Sequence, residues 1–225
     1  MDKKQTRKEK LKAKRTKQIL TASMKIFSRY GYQMADVEKI ATLAGLGKGT
    51  VYRYFKSKQN LFLSTLEWGL NSLRNEISCA IEKTDDYLNR VKIALSTYLS
   101  FFEKNRDFYR VLIQERVWAQ VKSTGWKWKE RHLSHIDHLE KILAEGMRKG
   151  YFKKVNPKSC AYALWGLTNS LLYKWLISDK KYPIKRELSV IKKTFFEGIL
   201  NDKNAYARMR QETEGQETSR KRRRR

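Results

Sequence analysis

Three histidines lie close together in the chain, and histidine is the commonest metal ligand in proteins. His132, His135 and His138 follow one another at intervals of three residues in a stretch predicted to be helical. Side chains three residues apart share one face of a helix, but the outer two of this set are about 120° apart around its axis. One helix is therefore a poor three-ligand site, and we expect no bound metal.

A glycine-rich segment is the second feature with a parallel among enzymes. The run Gly45-Leu-Gly-Lys-Gly-Thr50 superficially resembles a phosphate-binding loop. It lacks the Gly-Lys-Ser/Thr sequence of that loop, and no predicted strand precedes it. The chain also contains no G-x-S-x-G or H-E-x-x-H motif. We therefore expect no enzyme activity and no cofactor, and a helical enzyme that processes small molecules is the weakest alternative.

The same segment continues into a set of side chains that suit a nucleic acid. Hydrogen-bond donors, two cations and flat rings face outward from a predicted helix at about 47–54, and such groups match the phosphates and base edges of a major groove. A glycine within so short a helix costs about 1 kcal/mol relative to alanine, which is tolerable where the backbone must approach DNA closely. The alternative is a helical hairpin with a solvated face. The residues are Lys48, Gly49, Thr50, Tyr52, Arg53 and Tyr54.

Two short helices joined by a tight turn would position these side chains. Asp36 is a good N-cap for the first helix, and Gly45 permits a positive φ in the turn. This spacing predicts a helix-turn-helix over about 36–55. A helix at about 14–30, ended by Gly31, precedes it, and Ser57 caps a long helix after it. The small core that would fix the angle between the two helices comprises Ile40, Ala41, Leu46, Val51 and Phe55.

Composition narrows the class of protein. The 225 residues include only 2 Pro, and 40% are hydrophobic, which argues against a collagenous or mostly disordered chain and favours an all-α fold. Lys and Arg number 50 against 23 Asp and Glu, giving a net charge of +27. Residues 1–60 alone hold 16 basic and 4 acidic residues. A charge of this size indicates a negatively charged partner such as nucleic acid.

Two cysteines and the absence of an apolar leader indicate the cellular compartment in which we expect the protein. Cys79 and Cys160 are far apart in sequence, which predicts two core thiols in a reducing cytoplasm, with a single disulfide as a minor alternative. The basic N-terminus is followed by no apolar stretch, so we expect no signal peptide. The most hydrophobic stretch, 161–177, is too short and too polar for a membrane span. We expect a cytoplasmic protein with no membrane partner.

The rest of the chain is predicted to be helix after helix. These helices are expected at about 58–82, 86–104, 106–119, 127–149, 157–179 and 184–201. Residues 202–225 are polar and end in an arginine-rich run that cannot bury a core. The predicted organisation is a basic N-terminal arm at 1–13, a DNA-binding domain at 14–57, a helical domain at 58–201 and a basic tail at 202–225.

The run from Gly31 to Leu61 closely resembles the N-terminal domain of the TetR/AcrR family of transcriptional regulators. The resemblance covers about 12–66 and rests on Ile-Ala-x-x-Ala-Gly followed by Lys-Gly-Thr-x-Tyr-x-Tyr-Phe-Lys-Ser-Lys. It implies a homodimer in which each chain has a three-helix DNA-binding head and a larger helical bundle for ligand binding and dimerisation. It also implies that the six outward residues named above, from Lys48 to Tyr54 without Val51, meet DNA and that Tyr52 and Lys58 touch phosphates. Ala35 and Gly47 depart from the Thr and Ser common in the family.

The resemblance further implies a small-molecule effector that binds the helical domain. Many aromatic residues occur there, and together they suggest a large apolar pocket. By analogy the effector is hydrophobic, such as a fatty acid, an acyl-CoA or an aromatic compound, and the basic charge of the domain mildly favours an anionic one. The expected pocket residues are Tyr98, Phe102, Tyr109, Trp118 and Trp165. The expected dimer-interface residues are Leu164, Leu171, Leu172, Leu188, Ile191, Phe195 and Ile199.

These observations predict a ligand-responsive, dimeric DNA-binding regulator. The resemblance favours a repressor that binds a near-palindromic operator and is released by the effector. The basic arm would follow the phosphates or reach the adjacent minor groove, or else be a solvated tail. The alternative function is a nonspecific basic nucleic-acid-binding protein whose helical domain is only a dimerisation scaffold.

Overall fold

The computed structural model of the protein describes residues 3–82, 84–121, 126–178 and 182–199, with side chains described in these ranges except at 3–6, 115–135 and 199. Helices account for nearly all of this part of the chain, and the predicted all-α fold is confirmed. The first eight helices are α1 (Lys3–Met34), α2 (Val37–Leu43), α3 (Lys48–Tyr54), α4 (Lys58–Ile81), α5 (Tyr87–Lys104), α6 (Arg106–Val121), α7 (Trp126–Arg148) and α8 (Pro157–Ile177).

Helix boundaries follow the capping residues of the sequence. The Ser57 hydroxyl accepts a 3.0 Å hydrogen bond from the backbone N–H of Asn60 at the start of α4. The Asn156 side chain accepts a 2.8 Å bond from the N–H of Ser159, and Pro157 occupies the first turn of α8. Each cap satisfies a donor that would otherwise lack an intrahelical partner, which is why the helices begin there.

Helix α1 begins earlier than the predicted 14–30, whereas its break at Gly31 agrees with the prediction. Residues 3–13 are rich in Lys, with other good helix formers and neither Gly nor Pro, so nothing interrupts the helix between Lys3 and Ala13. At the other end Gly31, with φ 71° and ψ 170°, breaks the helical backbone where the sequence predicted, and one separate turn follows to Met34. The segment predicted as an N-terminal arm is therefore helical from Lys3 onward.

The segment after α8 was expected to be one helix at 184–201, and the structure divides it. A 3₁₀ turn at Ile184–Arg186 leads into α9 (Glu187–Ile191), a π-helical stretch at Lys192–Phe196 and α10 (Glu197–Ile199). Ile191 and Phe196 are both buried. They lie five residues apart, which is the hydrogen-bonding interval of a π-helix, so the wider turn keeps both on the buried face.

The described helices fall into two compact units. The first contains α1, α2, α3, the part of α4 up to Asn75, and α6. An aromatic cluster lies in its core, where the Phe62 ring is 5.0 Å from the rings of both Phe27 and Tyr32. Helix α1 packs on α6, and the Ser28 hydroxyl donates a 2.8 Å hydrogen bond to the Asp107 carboxylate.

The second unit contains the end of α4, α5 up to Glu103, α7 from Trp128, and the helices from α8 to α10. Val91, Leu99, Leu143 and Leu164 are fully covered in its core. Glu187 is also buried, and its carboxylate accepts hydrogen bonds from Lys174 Nζ at 3.1 Å and the Tyr182 hydroxyl at 2.7 Å. The predicted domain boundary between residues 57 and 58 stays a prediction.

Candidate nucleic-acid interface and apolar cavity

Helices α2 and α3 form the helix-turn-helix expected from the sequence. The Asp36 carboxylate caps α2 by accepting a 2.8 Å hydrogen bond from the N–H of Glu38. Gly45 has φ 67°, and the N–H of Leu46 donates a 3.0 Å bond back to the carbonyl of Ala41. The positive φ reverses the chain within a few residues, which only glycine does without steric cost.

The predicted core of this motif is buried. Ile40, Ala41 and Val51 are almost fully covered, Phe55 is 7% exposed, and Leu46 is half-buried. Because Val51 and Phe55 fix one face of α3 against the unit, the other face of the same helix is left outward. The apolar residues therefore decide which side chains of α3 are free to meet a partner.

The structure places the predicted DNA-contacting residues of α3 on and around that outer face. Lys48, Gly49, Tyr52 and Arg53 are exposed, and Thr50 and Tyr54 beside them are half-buried. Lys48 Nζ lies 3.6 Å from a carboxylate oxygen of Glu38 on α2. An exposed ion pair of this kind is worth at most about 1 kcal/mol, so it does not prevent Lys48 from binding a phosphate.

Gly49 is not required by the chain's own packing. A Cβ atom added there would meet no atom of the described residues within 4 Å, and its φ is not positive. Gly47, which stands where Ser is common in the family, is the N-cap of α3 and supplies no side-chain cap. Gly49 therefore lowers the helix propensity of α3 without a packing reason among the described residues, and a partner that approaches the backbone closely would explain it.

Lys58 has structural partners in the absence of DNA. Its ammonium group donates a 2.9 Å hydrogen bond to the carbonyl of Gln33 and lies 5.2 Å from the centre of the Tyr32 ring. Burial raises the pKa of the Tyr32 hydroxyl above its usual value. Lys58 therefore links the first residue of α4 to the end of α1.

An apolar cavity lies within the second unit. Its empty volume, counted out to its open mouth, is about 530 Å³. No carboxylate, ammonium or guanidinium group of the described side chains lines it. The lining residues are Ile77 of α4, Ala94, Leu95 and Tyr98 of α5, His138, Leu139 and Ile142 of α7, and Leu164, Trp165 and Thr168 of α8.

The polar groups of the cavity wall are largely engaged with the protein. The Tyr98 hydroxyl donates a 3.2 Å hydrogen bond to Asn169 Oδ1, and the Thr168 hydroxyl donates a 2.7 Å bond to the carbonyl of Leu164. Burial, together with the charge of Lys141, lowers the pKa of the partly exposed His138. Its imidazole is therefore neutral at pH 7, and the cavity suits the apolar part of a ligand.

The structure brings only some of the predicted pocket residues to this cavity. Tyr98 and Trp165 line it. Phe102 packs edge-on against Tyr98 with a 4.9 Å separation of ring centres, and Tyr109 is buried in the first unit. The side chain of Trp118 lies outside the described residues. Sequence reasoning missed the aliphatic wall of Ile77, Ala94, Leu95, Leu139 and Ile142, because such residues have the same pattern as ordinary core.

Some of the predicted dimer-interface residues are buried in their own chain, and others are partly exposed. Leu164, Leu172 and Ile191 are fully covered by their own chain, so they stabilise its core and are not available to a partner surface. Leu171, Leu188 and Phe195 are half-buried, and the side chain of Ile199 lies outside the described residues. Tyr162, Tyr173 and Ile177 are exposed on α8 at a spacing that aligns them along one face.

The remaining sequence predictions concern cysteines, histidines and the tail. Cys79 is exposed, so its prediction as a core thiol was wrong, whereas Cys160 is buried and burial raises its pKa to about 11. Both thiols are free.

The side chains of His132 and His135, and the whole tail, lie outside the described residues. Within the described ranges no three His, Cys, Asp or Glu residues are grouped so as to hold a metal ion, and no helix has the length and apolar character needed to span a bilayer.

Two family models and a characterised regulator match most of the chain. Residues 19–65 match the family model described as bacterial regulatory proteins of the tetR family, and residues 67–198 match the one described as the YsiA-like protein C-terminal region. The chain is 23% identical over 194 residues to the fatty acid metabolism regulator protein of Bacillus subtilis, a match that covers 85% of this chain and all of that protein.

Two solved structures share the fold. The regulator FadR from Bacillus subtilis in complex with stearoyl-CoA superposes with a TM-score of 0.69 at 19% identity, covering 79% of this chain and 96% of that one. AibR in complex with isovaleryl coenzyme A and operator DNA superposes with a TM-score of 0.67 at 16% identity, covering 80% and 98%. With a helix-turn-helix in its first unit and matches to both family models over most of its length, the chain belongs to the TetR family of bacterial transcriptional regulators.

Proposed function

We propose that the protein is a homodimeric repressor that binds a near-palindromic operator and is released from it by a fatty acyl effector. Each protomer would insert the outer face of α3 into the major groove of one half-site, and the half-sites would be centred one helical turn or a multiple of it apart. As a regulator of bacterial genes it would act in the cytoplasm. The observation that carries the DNA-binding part is the outward cationic face of α3, with a glycine in its first turn that no packing among the described residues requires.

Each predicted contact residue has a role in this proposal. Arg53 would read a base edge, since a guanidinium group pairs well with guanine, and Tyr52 and Lys58 would hold phosphates. Lys48, Thr50 and Tyr54 would contact the strand or base edges near Gly49, where the absence of a side chain permits a close approach. Phosphate contacts fix the position of the helix, while base contacts supply the sequence preference.

The exposed apolar stripe of α8 supports dimerisation. Tyr162, Tyr173 and Ile177 are 38%, 49% and 59% exposed, and Gly166, on the same face, leaves open space where a helix could approach. Half-buried Leu171, Leu188 and Phe195 would extend this surface. A second copy of the same stripe is a self-complementary partner, as a two-fold dimer requires.

The cavity supports an effector with a long apolar part. Its wall is aliphatic and aromatic, which suits the apolar part of a ligand. The two solved relatives bind acyl-CoA molecules, which combine such a part with an anionic head. A fatty acid or acyl-CoA that binds the DNA-free state better would shift the protein away from DNA, by no more than its difference in affinity for the two states.

Footprinting on genomic fragments in the presence of competitor DNA tests the DNA-binding part. Protection of a discrete inverted repeat is the expected result. Uniform coverage of the fragments would instead indicate a nonspecific nucleic-acid-binding protein and would reject the proposed repressor.

Release of the protected duplex by acyl-CoA tests the effector. Solvent extraction of protein purified without added ligand, followed by mass spectrometry, should first recover a fatty acyl compound. In a series from butyryl-CoA to stearoyl-CoA, release should strengthen with chain length, and coenzyme A alone should have no effect. Ala94→Phe should block release without weakening DNA binding, because the ring fills the cavity, whereas Ala94→Ser should behave as wild type. Unchanged release of the Ala94→Phe variant would show that the cavity is not the effector site.

A further inference from the structure

The first half of α1 is an exposed, strongly basic helix. Residues 7–14 are all exposed, and the match to the tetR family model begins only at residue 19. Basic residues recur along one face of this helix at intervals of three or four, with Glu9 pointing to another side. The residues on that face are Arg7, Lys10, Lys14, Lys17 and Lys25, with Gln18 and Thr21 between them.

An open cleft lies between this face and the end of α2. Lys14, Lys17 and Lys25 line one side of it together with Gln18 and Thr21, and Leu43 and Ala44 line the other. Its empty volume, including the part open to solvent, is about 760 Å³. No acidic side chain among the described residues lines the cleft, and none of the three lysines forms an ion pair there.

A second groove on α1 provides a contrast. It runs along the helix towards α4 and is lined by Glu9, Lys12, Lys17 and Trp68. The Glu9 carboxylate gives this second groove both acidic and basic groups, and the Trp68 indole makes the groove partly apolar. An anion should therefore prefer the α2 side, which is lined by three lysines and two neutral donors with no acidic side chain among them.

We infer that Lys14, Lys17 and Lys25 form a second DNA contact, which holds the phosphate backbone beside the segment that α3 reads. This inference rests on the proposed function and extends it. Helix α2 packs on both α1 and α3 within the same compact unit, so the cleft and the recognition face belong to one body. Ammonium groups bind phosphates independently of base sequence, so the contact adds affinity without adding base preference.

The helical structure of α1 also limits how this basic N-terminal segment can contact DNA. An α-helix with its side chains is about 10–12 Å across, whereas the minor groove of B-DNA is about 6 Å wide. Residues 3–18 are helical and cannot enter that groove as such. The phosphate backbone remains as the partner that a rigid basic helix can follow.

The test compares two charge-matched variants of the full chain. One carries Lys14→Gln, Lys17→Gln and Lys25→Gln in the cleft, and the other carries Lys8→Gln, Lys12→Gln and Arg15→Gln on the opposite side of the same helix. Fluorescence anisotropy measures the affinity for the duplex protected by wild type over a series of salt concentrations. The cleft variant should reduce the slope of log affinity against log salt by about three per chain, since each phosphate contact contributes about 0.9. Its preference for that duplex over a scrambled one should be unchanged.

Neutral methylphosphonate linkages, placed one at a time outside the two half-sites, locate the contact. Wild type and the opposite-side variant should lose affinity at particular positions where the cleft variant loses none. Equal losses of slope in the two variants, or no loss in either, would overturn the inference. If wild type prefers no duplex at all, the proposed function itself fails, and this outcome is distinct from a selective wild type whose cleft variant is unaffected.

Discussion

The Lys58 ammonium group donates a 2.9 Å hydrogen bond to the carbonyl oxygen of Gln33, so the first residue of α4 is fixed to the last turns of α1. The Tyr32 ring, 5.2 Å away, further restricts it. A cation held in this way before DNA arrives loses little freedom on meeting a phosphate. Lys58 is thus both a structural link and a candidate phosphate contact.

Lys58→Ala should therefore weaken binding to all DNA sequences alike, by about 10- to 150-fold at low salt, since a hydrogen bond to a charged group contributes about 1.5–3 kcal/mol. The free energy of unfolding should fall by about 1 kcal/mol, because the bond to Gln33 is lost. Anisotropy with the protected and scrambled duplexes and urea denaturation measure the two effects. Lys56→Ala, at an exposed neighbouring position, is the control for a simple loss of charge. A loss confined to the protected duplex would contradict the role in phosphate binding.

Gly49→Ala should stabilise the protein and weaken its binding to DNA. The new Cβ atom meets nothing in the described protein, so the higher helix propensity of alanine should raise the free energy of unfolding by up to about 1 kcal/mol. Affinity for the protected duplex should fall, because the methyl group would lie where the backbone approaches DNA. Thermal denaturation and anisotropy test the two directions, with Gly198→Ala as a control that also has open space at its Cβ. Unchanged DNA affinity would remove the functional explanation of this glycine.

Gly69→Ala should have the opposite effect on stability. A Cβ atom there would lie only 2.4 Å from Cε2 of Phe108, a buried ring that cannot easily move. Overpacking of this kind costs about 1–3 kcal/mol. Urea denaturation should show this loss, and adding Phe108→Leu should recover part of it, because the smaller side chain removes the clash. If the two substitutions proved additive, the close contact would not be the cause.

The two thiols should react at very different rates with a thiol reagent. Cys79 is exposed, whereas burial of Cys160 raises its pKa to about 11, so almost none of it is thiolate at pH 8. Native protein at pH 8 should release one equivalent of product rapidly, and protein in denaturant should release two. The Cys79→Ser variant should show no rapid phase. A rapid phase that persists in this variant would mean that Cys160 is accessible.

The sequence predicts the helix boundaries well where one residue by itself begins or ends a helix. Asp36, Gly45 and Ser57 act through their own caps and turns, so both ends of α2 and the start of α4 could be placed without knowing the tertiary structure. The extension of α1 to Lys3 was missed because a charged surface pattern with no apolar period is also compatible with an unstructured arm.

The site residues were harder to predict where a helix is apolar on more than one face. Leu172 and Tyr173 are neighbours on α8, and one is fully buried while the other is half exposed. The sequence marks both as hydrophobic, and periodicity does not say which apolar face meets the same chain and which remains for a partner. For the same reason Ala94 and Leu95 were not recognised as cavity wall. The recognition face of α3 was easier, because Val51 and Phe55 leave only one face outward.

Selection of bound sequences from a library of randomised duplexes tests the central claim most directly, namely that the outer face of α3 reads the major groove. Wild type should enrich an inverted repeat. Arg53→Ala should lose base preference at one symmetric pair of positions while keeping the repeat and its spacing, because a bidentate contact to a base discriminates by about 1–3 kcal/mol. Enrichment profiles of Arg53→Ala and Lys48→Ala that both match wild type would contradict the claim.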